Sequence, residues 1–121
     1  MVQKKTLVLG ASDNPSRYSN VAIKRLRNAG HPVVAIGRKS TMVADVPVGT
    51  EKTSFTDIDT VTLYLNPGNQ VAYYDYILSL SPRRIIFNPG TENDTLAEMA
   101  RTRNIEPVEA CTLVLLSTNQ Y

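Results

Sequence analysis

The chain is poor in the side chains that most often carry chemistry or hold metals: among 121 residues there is one cysteine and one histidine. Cys111 alone cannot close an internal disulfide. Together with His31 it falls short of the usual ligand count of a metal site, so no metal is expected. His31 sits between Gly30 and an expected strand, at the amino edge of a sheet, where no Ser-His-Asp or Cys-His relay can be built around it. Long apolar runs are missing too. Runs such as Leu113-Val114-Leu115-Leu116 stop at four residues, against roughly 20 for a bilayer span, and no membrane partner is expected. The opening Met1-Val2-Gln3-Lys4-Lys5 lacks the apolar stretch of a secretory signal, which makes the cytoplasm the expected compartment. Charge of one sign is also scarce, with a net +2 and 20% charged residues. No block of like charge is long enough to draw in duplex nucleic acid. The main basic cluster, Lys24, Arg25 and Arg27, falls on the outer face of an expected helix.

What the sequence does contain is a regular alternation of short apolar runs and helical patterns. With 42% hydrophobic residues, the length suits one domain, residues 1–121, with a continuous core. Thr6 to Leu9 reads as a buried strand. Ser19 or Asn20 can cap a helix to about Asn28, with Ala22, Ile23, Leu26 and Ala29 as its apolar stripe and Gly30 ending it. Val33 to Ile36 is the second strand and runs into Gly37. Val46-Pro47-Val48-Gly49 reads as a short extended piece and Ser54 to Ile58 as one helical turn. Val61 to Leu65 is the third strand, stopped by Asn66-Pro67-Gly68, and a helix over Gln70 to Leu80 turns Val71, Tyr74, Ile77 and Leu78 inward. Arg84 to Phe87 is the fourth strand, followed by Asn88-Pro89-Gly90. Thr91 to Asp94 then cap a helix through Leu96, Met99 and Ala100, before a fifth strand around Ile105 to Val108 and a short last helix from about Thr112. Apolar runs without strict alternation mark strands covered on both faces. The expected class is therefore α/β: a Rossmann-like, open, mostly parallel sheet of about five strands in the order 3-2-1-4-5, with helices on both faces.

Ligands of such sheets bind outside the carboxyl ends of the strands, where the order reverses. Five loops leave those ends: Gly10 to Tyr18, Gly37 to Ser40, Asn66 to Asn69, Asn88 to Asn93, and Glu109 to Thr112. In the first, Gly10-Ala11-Ser12 gives a tight turn in which a missing Cβ leaves room beside a phosphate, with N–H groups ahead of a helix as an anion cradle. Ser12 and Pro15 stand where the dinucleotide fingerprint has its second and third glycines, and a plain strand-to-helix turn accounts for the same residues. Arg38 and Lys39 follow the second strand, where NAD-binding proteins place an acid. Two cations there favour a phosphate on the adenosine ribose, as in NADP or coenzyme A, with a solvated Arg-Lys pair as the alternative. Cys111 ends the fifth strand near this crevice, or serves as a small core side chain. Glu92 and Asp94 fit the start of a helix.

Over nearly the whole chain, these residues resemble the small CoA-binding proteins whose fold is shared with the N-terminal domain of the succinyl-CoA synthetase α-subunit. The likeness lies in Val8-Leu9-Gly10-Ala11-Ser12, Asn14-Pro15, Arg17-Tyr18-Ser19, Lys39, Pro67, Gly90 before an acidic helix start, and the position of Cys111. It implies that Gly10, Ala11 and Ser12 hold a CoA phosphate through backbone N–H groups and the Ser12 hydroxyl. Arg17, Tyr18 and Ser19 would contact the diphosphate region, and Lys39, beside Arg38, the adenosine 3′-phosphate. Leu65, Asn66 and Pro67 would border the adenine or pantetheine, Asn88 and Gly90 would complete the cofactor-binding set, and Cys111 would lie near the thiol end. Gly37-Arg38 and Thr112 stand where family members commonly carry Asn-Pro and a proline. The related ligase uses a phosphorylated histidine in a further domain and a separate ATP-binding subunit, and this sequence contains neither. The resemblance therefore implies a stand-alone CoA or acyl-CoA binding protein without ligase chemistry.

Two other functions fit parts of the pattern. An NADP-dependent oxidoreductase would use the Gly10 turn and Arg38-Lys39, but no substrate domain or Tyr-Lys pair for proton transfer is visible. An interaction or regulatory module with a vestigial nucleotide pocket would leave Tyr73, Tyr74 and Tyr76 as a possible homodimer face.

Overall fold

In the computed structural model, which describes residues 2–121, the chain builds one seven-stranded sheet in the order β3-β4-β2-β1-β5-β6-β7. The elements run β1 (Thr6–Ala11), α1 (Tyr18–Asn28), β2 (Val33–Gly37), β3 (Thr41–Val43), β4 (Val46–Gly49), β5 (Thr60–Leu63), α2 (Pro67–Gln70), a 3₁₀ turn (Val71–Tyr73), α3 (Tyr74–Ser79), β6 (Arg84–Phe87), α4 (Asp94–Arg101), β7 (Glu106–Glu109) and α5 (Thr112–Ser117). All neighbouring strands are parallel except β3 with β4. Among the described residues, no helix is long and apolar enough to cross a membrane.

The α/β, Rossmann-like class and the mostly parallel sheet stand, but the expected five strands in the order 3-2-1-4-5 do not. The expected third strand, β5, pairs with β1 on the side away from β2. The place beside β2 belongs to β4, which reaches it because the chain returns through the antiparallel β3 instead of a crossover helix. No helical turn forms over Ser54 to Ile58.

Alternating side chains of the central strands serve two cores, which is why their sequences read as unbroken apolar runs. Leu7, Leu9, Val61, Leu63, Ile85 and Phe87 pack with Ile77, Leu78, Leu96 and Ala100 on one face. Val8, Ala35, Val48 and Ile86 pack with Ile23 and Leu26 of α1 on the other. A bulge at Gly10 breaks the register between β1 and β2 and turns Ala11 towards the α1 side, joining Val8 there.

Helix ends differ from expectation where side chains find other partners. The N-cap of α1 is Arg17, extended and without a capping side-chain bond, because Asn20 donates instead to the Ser12 carbonyl at 3.0 Å. At the other end Gly30, with φ +87°, closes a Schellman turn: its N–H bonds to Arg27 O and that of His31 to Leu26 O, both at 3.0 Å. The expected helix over Gln70 to Leu80 is split by the 3₁₀ turn, whose tighter winding rotates the apolar face. Val71 is consequently 59% exposed, while Gln70 is buried and donates to Leu65 O and Thr91 O, each at 2.8 Å. The three tyrosines share no open face. Tyr76 is buried with its hydroxyl donating to Thr53 O at 2.5 Å, Tyr74 accepts from Asn93 at 2.8 Å, and both Tyr73 and Tyr74 pack on the core.

At the amino edge of the sheet, residue 121 is fastened in a polar clasp. Arg84, itself buried, donates to Thr60 Oγ1 at 2.8 Å and to Tyr121 O at 3.0 Å, with its guanidinium 4.4 Å from the Tyr121 ring centroid. Lys4 Nζ donates to the same oxygen. His31 lies here, as its sequence position implied, with its ring 5.0 Å from that of Tyr121 and its Nδ1 accepting from the Lys4 N–H at 3.0 Å. Burial, and then the Lys4 and Arg84 charges, hold the His31 imidazole below its usual pKa, with Asp59 opposing. The unfolded chain, titrating near 6.5, thus takes up this proton more readily than the folded one. The stability linked to His31 is complete above that pH and is lost as pH falls towards the folded value. The urea midpoint should decline between pH 7 and pH 5.5 in the wild type and decline less in His31→Gln; equal declines would reject the assignment.

Candidate functional site

The carboxyl ends of β1, β2, β5 and β6 open onto a cleft of about 690 Å³. It spans the point where the chain, having built outward from β1 to β2 and β4, crosses back to β5, the position at which open α/β sheets bind ligands. With strands about 4.8 Å apart, the three spacings from β2 to β6 cover roughly 14 Å, room for an extended molecule.

Two glycines bring the strand ends together. Gly10 has φ +91°, and a Cβ there would stand 2.9 Å from Tyr64 C and 3.0 Å from Tyr64 O. The space it spares belongs to β5 and its following loop, which corrects the expectation that the missing Cβ makes room for a phosphate. At Gly37 a Cβ would come within 2.3 Å of Ala11 O.

The loop from Ser12 to Arg17 satisfies much of itself. Ser12 Oγ accepts from the Asn14 N–H at 3.1 Å, and Asn14 Oδ1 accepts from the Ser16 N–H at 3.0 Å and the Ser16 hydroxyl at 2.8 Å. The Arg17 N–H bonds to Asn14 O at 3.0 Å. By contrast, the Tyr18 and Ser19 N–H groups, in the first turn of α1, have no partner among the described residues. Both residues line the cleft, with the positive end of the helix dipole behind them.

Charge is distributed unevenly around the opening. Arg17 and Arg38 line it, and neither makes an ion pair among the described residues. Lys39 lines it too, but its Nζ lies 3.0 Å from Asp13 Oδ2, and Thr41 Oγ1 donates to the same oxygen at 3.2 Å. The bond from Lys39 holds the Asp13 carboxyl below its usual pKa, against some desolvation.

On the β5 side the wall is Tyr64, Leu65, Asn66, Asn69 and Tyr73, and on the β6 side Pro89, Gly90 and Thr91. Asn66 Oδ1 caps α2 by accepting from the Asn69 N–H at 2.9 Å. The Gly90 N–H donates to Glu92 Oε1 at 2.8 Å. Burial pushes the Tyr64 phenol up to about 12. Its hydroxyl meets no partner at full hydrogen-bond geometry, although the Thr62 and Thr112 hydroxyls, which bond each other at 2.9 Å, lie beside it and oppose the rise.

Most of the residues singled out by sequence therefore meet at one opening: Gly10, Ala11, Ser12, Arg17, Tyr18, Ser19, Arg38, Lys39, Leu65, Asn66 and Gly90. Pro67, Asn88 and Cys111 do not line it. Pro67 is exposed at the start of α2. Asn88 is buried in the scaffold: Nδ2 donates to Thr62 Oγ1 at 2.7 Å and to Leu63 O at 2.9 Å, and Oδ1 accepts from the Thr112 N–H at 2.9 Å. Cys111 is half-buried and stands at the N-cap position of α5 without a capping side-chain bond, and its neighbour Tyr64 lines the cleft instead. Sequence reasoning did not single out Ile36, Thr41, Tyr64 and Tyr73, and it placed Asp13, Gly37, Asn69, Pro89 and Thr91 at this edge only as members of their loops. Asp13 was findable as the one acid inside the Gly10 to Tyr18 loop; Thr41 enters through a strand that had no sequence signal. A smaller cleft of about 250 Å³ between α4 and β7 carries Asp94, Glu109 and Arg101, a mixture less suited to anions.

Chemically, the larger cleft suits an elongated anionic molecule. A helix N-terminus and Arg17 are available for one anionic group, Arg38 for another, and Tyr73, Tyr64 and Leu65 offer an apolar wall.

Comparison with known proteins agrees with this chemistry. A family model described as a CoA binding domain matches residues 4–117. A crystal structure described only as that of an uncharacterized protein is 47% identical over 100% of both chains, with a TM-score of 0.97. A hypothetical protein from Pyrococcus horikoshii OT3 is 22% identical over 96% of this chain and 83% of its own, with a TM-score of 0.86. A protein from Thermus thermophilus is 17% identical over 98% of this chain and 91% of its own, with a TM-score of 0.85; in these last two the likeness is of the fold. No curated protein matches the chain.

The strand-end geometry has a direct test. Gly37→Ala should lower unfolding stability by about 1–3 kcal/mol, because a backbone carbonyl cannot move aside as a side chain can. Chemical denaturation measures it, and an unchanged midpoint would show that β1 and β2 do not close as described.

Proposed function

Since the chain belongs to the CoA-binding domain family, we propose that residues 1–121 act as one Rossmann-like domain that holds coenzyme A or an acyl-CoA in the cleft, without ligase chemistry. The observation that carries the reading is the pair of unpaired arginines flanking the open first turn of α1. In this reading the Tyr18 and Ser19 N–H groups, the Ser12 hydroxyl and Arg17 hold the diphosphate, as helix N-termini do elsewhere. Ser12 Oγ already accepts from Asn14, which leaves its proton free to donate to a phosphate oxygen.

Arg38 and Lys39 take the phosphate on the adenosine ribose. Leu65, Asn66 and Tyr73 border the less polar parts of the ligand, and Gly90 lines the far wall. The single histidine lies at the amino edge, so these residues supply no phosphohistidine at the cleft. A bound ligand would thus be held and presented, not activated.

Calorimetric titration should give a Kd for CoA in the micromolar range or somewhat weaker. 3′-Dephospho-CoA should bind about 3–10-fold more weakly, in line with loss of a solvent-exposed charged contact. Arg38→Ala should narrow that difference, while Arg17→Ala should weaken both ligands alike. The Arg38 corner accepts a phosphate on either ribose hydroxyl, so NADP is the competitor to include. Binding of NADP in preference to CoA would replace this reading with a nicotinamide one, and absence of heat with either CoA species would end it.

A further inference from the structure

The cleft holds three cations but only one carboxylate, that of Asp13, and the carboxylate is placed on Lys39, one of the two cations at the β2 corner. Arg38, the other, stays free. The pair joins two separate segments: Asp13 belongs to the loop between β1 and α1, and Lys39 to the turn after β2. Thr41, in β3, donates to the same Asp13 oxygen, so Asp13 stays anchored if Lys39 leaves. Lys39 has the opposite freedom, with its side chain 69% exposed and no other hydrogen bond among the described residues.

Resting on the CoA reading above, we propose that Asp13 is a built-in competitor for Lys39: it occupies this cation in the empty cleft, and a phosphate on the adenosine ribose must draw Lys39 away from it. The exchange costs one exposed ion pair and forms a stronger one, since a phosphomonoester carries up to two charges. The device lowers affinity for ligands bearing that phosphate and leaves others almost untouched. It makes Asp13 a determinant of how strongly the domain distinguishes CoA from 3′-dephospho-CoA.

The test is a double-mutant cycle with Asp13→Asn and Lys39→Met, each variant titrated with CoA and with 3′-dephospho-CoA, and with thermal melts as a folding control. Asparagine keeps the size of Asp13 and still accepts from Thr41. Asp13→Asn should tighten CoA binding about three- to five-fold, the scale of an exposed ion pair, and change 3′-dephospho-CoA binding less than about two-fold. In the Lys39→Met background the same replacement should no longer favour CoA. Equal tightening of both ligands, or persistence of the effect without Lys39, would reduce Asp13 to a general field and overturn the proposal. Weaker CoA binding in Asp13→Asn would also overturn it, by making Asp13 a support for Lys39. If the wild type binds neither compound, the CoA reading falls and this proposal with it; binding with an unaltered ratio removes only the proposal.

Discussion

The cleft depends on backbone meeting backbone. At Gly10 the end of β1 runs against the Tyr64 peptide, and at Gly37 the end of β2 runs against the Ala11 carbonyl. Side chains at either position would wedge the strands apart at the edge where the loops must converge. The positive φ of Gly10 also produces the bulge that reverses the facing of Ala11, and the chain then enters α1 with that helix's first turn directed at the opening. Interiors pack too densely to absorb such contacts by small adjustments. The convergence of the loops after β1, β2 and β5 depends on these two approaches.

Polar groups divide the molecule into two ends with opposite economies. At the amino edge, Lys4 and Arg84 both bond Tyr121 O, His31 accepts from a backbone N–H, and Thr6 shares a hydrogen bond with the Tyr121 hydroxyl. Charge there is consumed by the fold. At the carboxyl edge, Arg17, Arg38 and the first N–H groups of α1 are left over, and the scaffold beneath them is closed by Asn88, whose amide ties β5, β6 and α5 together. A cation that the fold does not use is available to a ligand, and the contrast between the two ends is the physical content of the site.

Much of this was legible in the sequence, and what was not has identifiable causes. Strands β1, β2, β5, β6 and β7 were found because four of them lie in the middle of the sheet and all adjoin apolar residues packed on a covered face. Of the β3–β4 hairpin only β4 was, as the extended piece Val46 to Gly49; β3 has three residues with Met42 largely exposed, and the hairpin turn places Ala44 at φ +53°, a conformation that alanine does not advertise. Missing that hairpin is what misplaced β5. Asn66-Pro67-Gly68 and Asn88-Pro89-Gly90 look alike as sequence. Yet one asparagine caps an exposed helix at the rim of the cleft and the other is buried as a scaffold brace. Only tertiary contacts separate them, and the same holds for Cys111.

The fastening of Tyr121 also settles a matter of direction. Because this residue is gripped by Lys4, Arg84 and His31 beneath the strands' starting points, it lies at the pole opposite the cleft. A label or a surface attachment placed there would leave the mouth unshadowed, and one placed ahead of Lys4 would set out from that same pole.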